Sequence, residues 1–79
     1  MRQITELDIY INEKIKEHRK LCGLTQQELA SYLGVSFQQV QKYEKSTNRI
    51  SASKLFLISE ALNIPIEDFL PYGGIVHEL

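Results

Sequence analysis

The side chains best suited to recognition chemistry lie near the middle of the chain, where amides and lysines recur at helical spacing. On a helical wheel Gln38, Lys42 and Lys45 share one side and Gln41 flanks them, with no carboxylate among them. Glutamine can make two hydrogen bonds to adenine in the major groove of DNA, and lysine can donate to guanine. Phe37, one residue earlier, could lie against a thymine methyl group. The pattern fits base recognition, although a merely solvated polar face would look the same from this helix alone.

Charge is unevenly distributed along the 79 residues, although the net charge is only −1. Residues 1–35 are balanced, residues 36–54 hold four basic side chains against one acidic, and residues 55–79 hold four acidic and no basic side chains. Phosphate binding depends on where the cations lie more than on the total. The middle of the chain is therefore the candidate surface, while the near-neutral total favours a protein partner slightly.

Length and composition indicate one small domain, which we expect to occupy residues 1–79, with a core over 9–70 and a C-terminal tail over 71–79. A hydrophobic fraction of 43% and a charged fraction of 24% are ordinary for a folded domain. The longest apolar run is four residues, so no membrane-spanning helix is expected. The polar N-terminus and the single cysteine, Cys22, favour a cytoplasmic location.

No catalytic set is recognisable, and we expect no enzyme activity, cofactor or small-molecule ligand. The chain has neither a Ser-His-Asp spacing nor a phosphate-binding glycine loop. His18, His77 and Cys22 are too few and too scattered for a zinc site. Cys22 recurs at helical spacing with Ile11, Ile15 and His18, which predicts a small core residue rather than a reactive thiol.

Helix start signals recur, and no strand pattern is present. Thr5 to Asp8 is typical of a helix start. Thr25 with Glu28, and Ser36 with Gln39, have the spacing of capping boxes, and Ser51 is positioned to cap a fourth helix. Gly23, Gly34 and Asn63 are placed to end helices. A short fifth helix is expected around 66–70, so the predicted fold is a compact all-α domain of five helices, with the second and third in a helix-turn-helix.

Several spaced identities carry a family resemblance across roughly residues 9–70. The chain resembles the helix-turn-helix of the phage repressor and Cro-type DNA-binding domains, the xenobiotic-response-element family. The residues that carry the resemblance are Gln26-x-x-x-Ala30-x-x-x-Gly34-Val35-Ser36-x-x-x-Val40-x-x-Tyr43-Glu44, preceded by Ile15-x-x-His18-Arg19 and followed by Leu55-x-x-Ile58-Ser59-x-Ala61-Leu62-Asn63-Ile64-Pro65.

The resemblance implies a DNA contact surface. It implies that the third helix contacts bases, and that residues around the second helix and in the loop after the third helix bind phosphates. It also implies that Arg19 and Glu44 form a buried ion pair. The chain departs from the family at His18, where leucine is common and where we expect the ring in the core, and at Ser46, where glycine is common. The expected base contacts are Phe37, Gln38, Gln41 and Lys42, and the expected phosphate contacts are Gln26, Ser36, Lys45, Thr47, Asn48 and Arg49.

A further departure is an apolar pair, Phe56 and Leu57, where the family usually carries polar residues. With Ile75 and Val76 these side chains would form a patch too large to leave exposed on so small a domain. Because the family commonly dimerises near this end, we expect a homodimer on a palindromic site. The alternative is that the tail folds back over the pair within one chain.

The sequence thus predicts a repressor-like transcriptional regulator that binds a specific double-stranded DNA site as a dimer. The alternative is a protein-interaction module, such as an antitoxin or adaptor, that uses the same fold with weak DNA binding. The absence of carboxylates from the candidate base-contacting face favours the first interpretation.

Overall fold

A computed structural model of the chain describes residues 3–71, and within them the structure is all-helical, as the sequence predicts. The first helix is long, the second and third are short, and the fourth is of intermediate length. In chain order they are α1 (Glu6–Leu21), α2 (Gln26–Leu33), α3 (Phe37–Glu44) and α4 (Ala52–Leu62), followed by a 3₁₀ turn (Ile66–Phe69).

The prediction of five helices is wrong in its count, because the last element is a single 3₁₀ turn. The backbone N–H of Asp68 donates to the Pro65 carbonyl at 2.9 Å, and that of Leu70 donates to Glu67 at 3.1 Å. Both bonds span three residues, the pattern of a 3₁₀ helix. With Pro65 before it and extended backbone at Leu70, the segment has no room for an α-helical turn. It nevertheless places Phe69 in the core, fully buried.

Every α-helix begins at a hydroxyl side chain that accepts a backbone N–H bond three residues on: Thr5, Thr25, Ser36 and Ser51. Asp8 and Glu28 return the bond and close the boxes of α1 and α2. Gln39 does not return a bond to Ser36, so the predicted box of α3 is only half formed. A neutral amide oxygen is a weaker acceptor than a carboxylate, which accounts for the difference.

Every α-helix also ends in the same way, with a residue in the left-handed region. Gly23, Gly34, Ser46 and Asn63 have φ values of 73°, 67°, 58° and 55°. At each end two backbone bonds of the Schellman type close on the last turn. Ser46 therefore adopts the backbone conformation that glycine would adopt more easily.

The core lies where all of these elements meet. Ile15, Leu29, Val40, Ile58 and Phe69 have no exposed area, and they come from five different elements. α2 packs against α3 and α4, while α1 packs against α3 and the 3₁₀ turn. The region from α2 through Gly34 to α3 is the predicted helix-turn-helix, and Ala30 is 3% exposed within it.

Two residues of the expected α1 core stripe behave differently. The His18 ring packs edge-on against Phe69 with centroids 5.0 Å apart, as expected of a core histidine. Cys22 is exposed, so the prediction of a core cysteine is wrong. α1 ends at Leu21, and Cys22 is the capping residue beyond the packed turns. None of the helices in residues 3–71 has the length and apolar content that crossing a membrane requires.

Candidate nucleic-acid interface

α3 has a sharply divided surface. Val40, Tyr43 and Glu44 are buried at 0%, 6% and 8% exposure, and they fix the helix against the rest of the domain. The opposite side, which we name the α3 outer face, is exposed apart from a partly buried Gln41. It consists of Phe37, Gln38, Gln41 and Lys42.

The buried side of α3 includes an ion pair with α1. Arg19 Nε donates to Glu44 Oε2 at 2.6 Å, and Arg19 Nη2 donates to Glu44 Oε1 at 3.0 Å. The side chains are 9% and 2% exposed. Arg19 Nη1 also donates to the Leu24 carbonyl at 2.6 Å. The pair implied by the family resemblance is therefore confirmed, and it joins α1, the turn before α2, and α3 in one network.

Gln26, an expected phosphate contact, belongs to this network. Its Nε2 donates to Glu44 Oε1 at 2.9 Å, so the amide is held at the junction of α2 and α3. As the first residue of α2, Gln26 also has a backbone N–H without an intrahelical acceptor. Such free N–H groups at a helix start favour an anion. The structure thus places Gln26 at the start of α2, with its side chain directed toward Glu44.

Ser36 occupies the N-cap of α3, beside the outer face. Its Oγ accepts the Gln39 backbone N–H at 3.1 Å. Because the hydroxyl oxygen acts as the acceptor in this bond, its proton remains available for a phosphate oxygen.

The loop after α3 folds tightly on the helix end. The Lys42 carbonyl accepts the backbone N–H groups of Thr47 and Asn48 at 3.0 and 3.4 Å, and the Thr47 hydroxyl at 3.1 Å. The Thr47 hydroxyl proton is therefore already used within the chain. Asn48 is fixed by its own carbonyl, which accepts Asn12 Nδ2 at 3.1 Å.

Two of the four cations in residues 36–54 are engaged within the chain. Arg49 Nε lies 3.2 Å from Asp8 Oδ2, and Lys54 Nζ donates to the Leu33 carbonyl at 2.8 Å. Lys42 and Lys45 are exposed and form no ion pair with any residue between 3 and 71. Among the four cations of residues 36–54, Lys42 and Lys45 are therefore the two whose ammonium groups have no partner among residues 3–71.

A family model described as helix-turn-helix matches residues 15–69. An uncharacterized HTH-type transcriptional regulator of Sinorhizobium medicae is 46% identical over 63 residues, covering 80% of this chain and 45% of its own length. An uncharacterized transcriptional regulator in the ATPase CF(0) region of Rhodospirillum rubrum is 46% identical over 68 residues, covering 86% of this chain and 63% of its own length. The chain belongs to the helix-turn-helix family of transcriptional regulators. It spans about half the length of the curated relatives it matches.

Solved structures have the same fold. The biofilm master regulator SinR, crystallised in complex with DNA, matches with a TM-score of 0.68 and 27% identity, over 75% of this chain and 95% of its own. The restriction-modification controller C.AhdI from Aeromonas hydrophila matches with a TM-score of 0.73 and 22% identity, over 78% and 94%. The second likeness concerns the fold alone.

Sequence reasoning missed two residues that support the loop after α3. They are Asn12, which donates to the Asn48 carbonyl, and Asp8, which pairs with Arg49. Asn12 is fully buried, and its Oδ1 has no hydrogen-bond partner among the described residues. The one available signal was an asparagine, a poor helix former, in the middle of a capped helix. The sequence identifies Asp8 only as a helix-start residue, because its partner Arg49 lies far along the chain.

On α4 the apolar pair is not covered by residues 3–71, since Phe56 is 51% and Leu57 39% exposed. The expected covering of this pair stays a prediction. The core stripe of α4, Leu55, Ile58 and Leu62, faces inward. Ile75 and Val76 lie outside the described residues. Across residues 3–71, no three His, Cys, Asp or Glu side chains lie close enough to hold a metal ion.

Proposed function

We propose that the protein binds a specific double-stranded DNA site and regulates transcription, with α3 in the major groove. The observation that carries this proposal is the α3 outer face: two amides, a lysine and an aromatic ring, without a carboxylate, on a helix fixed by its buried side. The groove is wide enough to admit an α-helix, and its base edges present the partners that amides and lysine need. SinR, which has the same fold, was crystallised in complex with DNA, and this likeness supports DNA binding by the present chain.

Base recognition is assigned to the α3 outer face. Gln38 and Gln41 would pair with adenine, Lys42 with guanine, and the Phe37 ring would lie against a thymine methyl group. Side chains on a helix are more precisely positioned than those on a loop, which favours these residues for discrimination.

Phosphate contacts would fix the protein's register on the duplex without reading its sequence. Lys45 has an unpaired charge at the end of α3, and Gln26 and Ser36 lie at the starts of α2 and α3. In the loop, the Asn48 side-chain amide can donate to a phosphate, whereas Thr47 would first have to release its hydroxyl from the Lys42 carbonyl. The Arg49 guanidinium is shared with Asp8. Together these groups would follow the backbone on both sides of the groove.

We propose that the protein acts as a homodimer. Phe56 and Leu57 expose apolar surface on α4, away from the core stripe, and a second copy would cover it. A twofold axis there would present two α3 helices to half-sites about one helical turn apart, which means a palindromic operator. A repressor-like regulator acts by occupying such an operator. The protein would do so in the cytoplasm, where its operator DNA would lie.

A binding titration at about 50 and 200 mM salt tests the proposal, because phosphate neutralisation makes the logarithm of affinity fall steeply with that of salt. Selection from a random oligonucleotide pool supplies the preferred duplex. Gln38→Ala should then cost about 1–3 kcal/mol on the preferred duplex and relax the choice at one base pair. Lys45→Ala, the matched control, should weaken all duplexes alike. Equal losses for Gln38→Ala on preferred and random DNA would contradict the assignment.

A protein-interaction module remains the second candidate, favoured by the small number of unpaired cations in residues 36–54. Pairing with a protein need not show the salt dependence that phosphate neutralisation imposes. Absence of any duplex binding at the lower salt concentration would select this alternative.

A further inference from the structure

The start of α1 holds the loop that follows α3 through two contacts one helical turn apart. Asp8 Oδ2 lies 3.2 Å from Arg49 Nε, and Asn12 Nδ2 donates to the Asn48 carbonyl at 3.1 Å. Adjacent loop residues are thus docked on adjacent turns of α1. Asn12 is fully buried, so this docking is part of the folded core.

The carboxylate of this arrangement is fixed, while its cation lies on a loop. Asp8 Oδ2 also accepts the backbone N–H and the hydroxyl of Thr5, each at 2.9 Å. The pKa of Asp8 is lowered, first by the Thr5 backbone bond and further by the Arg49 charge, so the group is ionised at neutral pH. The Asp8 side chain is 14% exposed and that of Arg49 is 36% exposed. The anion therefore stays in place, and the guanidinium is the accessible partner.

Arg49 is the only lysine or arginine between residues 46 and 51, the loop expected to contact phosphate. For a guanidinium, a carboxylate and a phosphate oxygen are the same kind of acceptor. A phosphate approaching this loop thus meets a cation whose charge is already balanced.

We infer that Asp8 is an internal competitor of the DNA phosphate for Arg49, and that it limits the sequence-independent part of DNA affinity. The inference rests on the proposed function. Binding of a duplex would transfer the guanidinium wholly or partly from Asp8 to a phosphate, while Asn12 keeps the loop docked. The effect belongs to the backbone contacts, so the base preference of the α3 outer face is unchanged by it.

A double-mutant cycle on the full chain tests this inference, with affinity for a random-sequence duplex measured by fluorescence anisotropy at two salt concentrations. The variants are Asp8→Asn, Arg49→Gln and their combination. Asparagine keeps an oxygen for the Thr5 bonds, and circular dichroism verifies the fold. Glu6→Gln is the matched control, since it removes the same charge from the same helical turn without touching Arg49.

Asp8→Asn should tighten binding about two- to five-fold beyond Glu6→Gln, the range expected for an exposed ion pair. It should also steepen the salt slope by about 0.9, the increment for one phosphate contact. In the Arg49→Gln background the excess over Glu6→Gln, measured in the same background, should vanish. A gain equal to that of Glu6→Gln, an excess over Glu6→Gln that persists without Arg49, or weaker binding of Asp8→Asn would overturn the inference while leaving the proposed function intact. If the wild-type chain binds no duplex, the proposed function fails, and the inference fails with it.

Discussion

The Arg19–Glu44 pair shows how much of this fold depends on two side chains. Each is less than one-tenth exposed, and between them they contact α1, the turn before α2, Gln26 of α2, and α3. Removing one partner of such a pair strands a buried charge, whereas replacing both with apolar groups does not. The pair therefore fixes the angle at which α3 presents its outer face.

Glu44→Gln should lower the free energy of unfolding by about 3–5 kcal/mol, because Arg19 then remains buried without its counterion. Urea unfolding followed by circular dichroism measures the loss. Glu17→Gln is the control, since its 3.5 Å pair with Lys14 is exposed and should contribute less than about 1 kcal/mol. The double variant Arg19→Met/Glu44→Leu should recover part of the stability. A loss for Glu44→Gln no larger than that of the control would contradict this role.

The residues that sequence reasoning missed have a physical reason in common: their partners are distant along the chain. Asn12 meets Asn48, and Asp8 meets Arg49, across intervals in which no local pattern connects them. The partners Arg19 and Glu44 are also far apart along the chain, and the sequence revealed this pair only through the family resemblance. Helical spacing also wrongly predicted that Cys22 is a core residue. The spacing places Cys22 in line with Ile15 and His18, but α1 ends one residue earlier, at Leu21.

At the scale of elements, the helix starts and ends were predictable because capping is local. Thr5, Thr25, Ser36 and Ser51 cap as their types and spacing indicate. Gln38 and Lys42, which the helical wheel places on one side of α3, are exposed, and the flanking Gln41 is partly buried. The prediction of a fifth helix was wrong because the segment Ile66–Phe69 is only four residues long. A segment of that length after a proline can form a 3₁₀ turn as readily as the first turn of an α-helix.

The end of α3 contains a conformational strain that can be relieved. Ser46 adopts φ of 58°, a conformation that costs an L-residue about 1–2 kcal/mol. Ser46→Gly should raise the free energy of unfolding by about 0.5–1 kcal/mol, after glycine's greater freedom in the unfolded chain is subtracted. Thermal unfolding measures the change.

The control for this prediction is Ser31→Gly, an exposed position within α2. There glycine replaces serine at an ordinary helical conformation and should destabilise by roughly 0.5 kcal/mol. If both substitutions destabilise equally, the left-handed conformation of Ser46 is not a source of strain.

At the scale of the whole molecule, one assembly would serve both exposed surfaces. A dimer would cover the apolar pair on α4 and would present two copies of the α3 outer face to DNA. One helix-turn-helix would contact a single half-site, and only two of the four cations in residues 36–54 have no partner among the described residues. Two copies joined through α4 would double the contacts on one palindromic site. The operator would then have half-sites separated by the distance between two α3 helices.

Leu57→Glu should convert a dimer to a monomer, because a carboxylate in an apolar interface loses its hydration without gaining a partner. Analytical ultracentrifugation of the full chain over a range of concentrations measures the change. Leu21→Glu is the matched control, since Leu21 is 75% exposed on α1 and lies outside the proposed interface. A wild-type chain that stays monomeric at high concentration, or a Leu57→Glu variant that still dimerises, would remove the dimer from the proposal.

The placement of α3 on a duplex is tested most directly by an amide-resolved NMR titration of the isotope-labelled chain with its selected duplex at low ionic strength. The expected result is that the largest shifts fall on the backbone amides of residues 36–45 and the start of α2, and on the side-chain amides of Gln38 and Gln41. The contradictory result is saturable binding of the duplex with the α3 signals unmoved, or no shift anywhere in the chain.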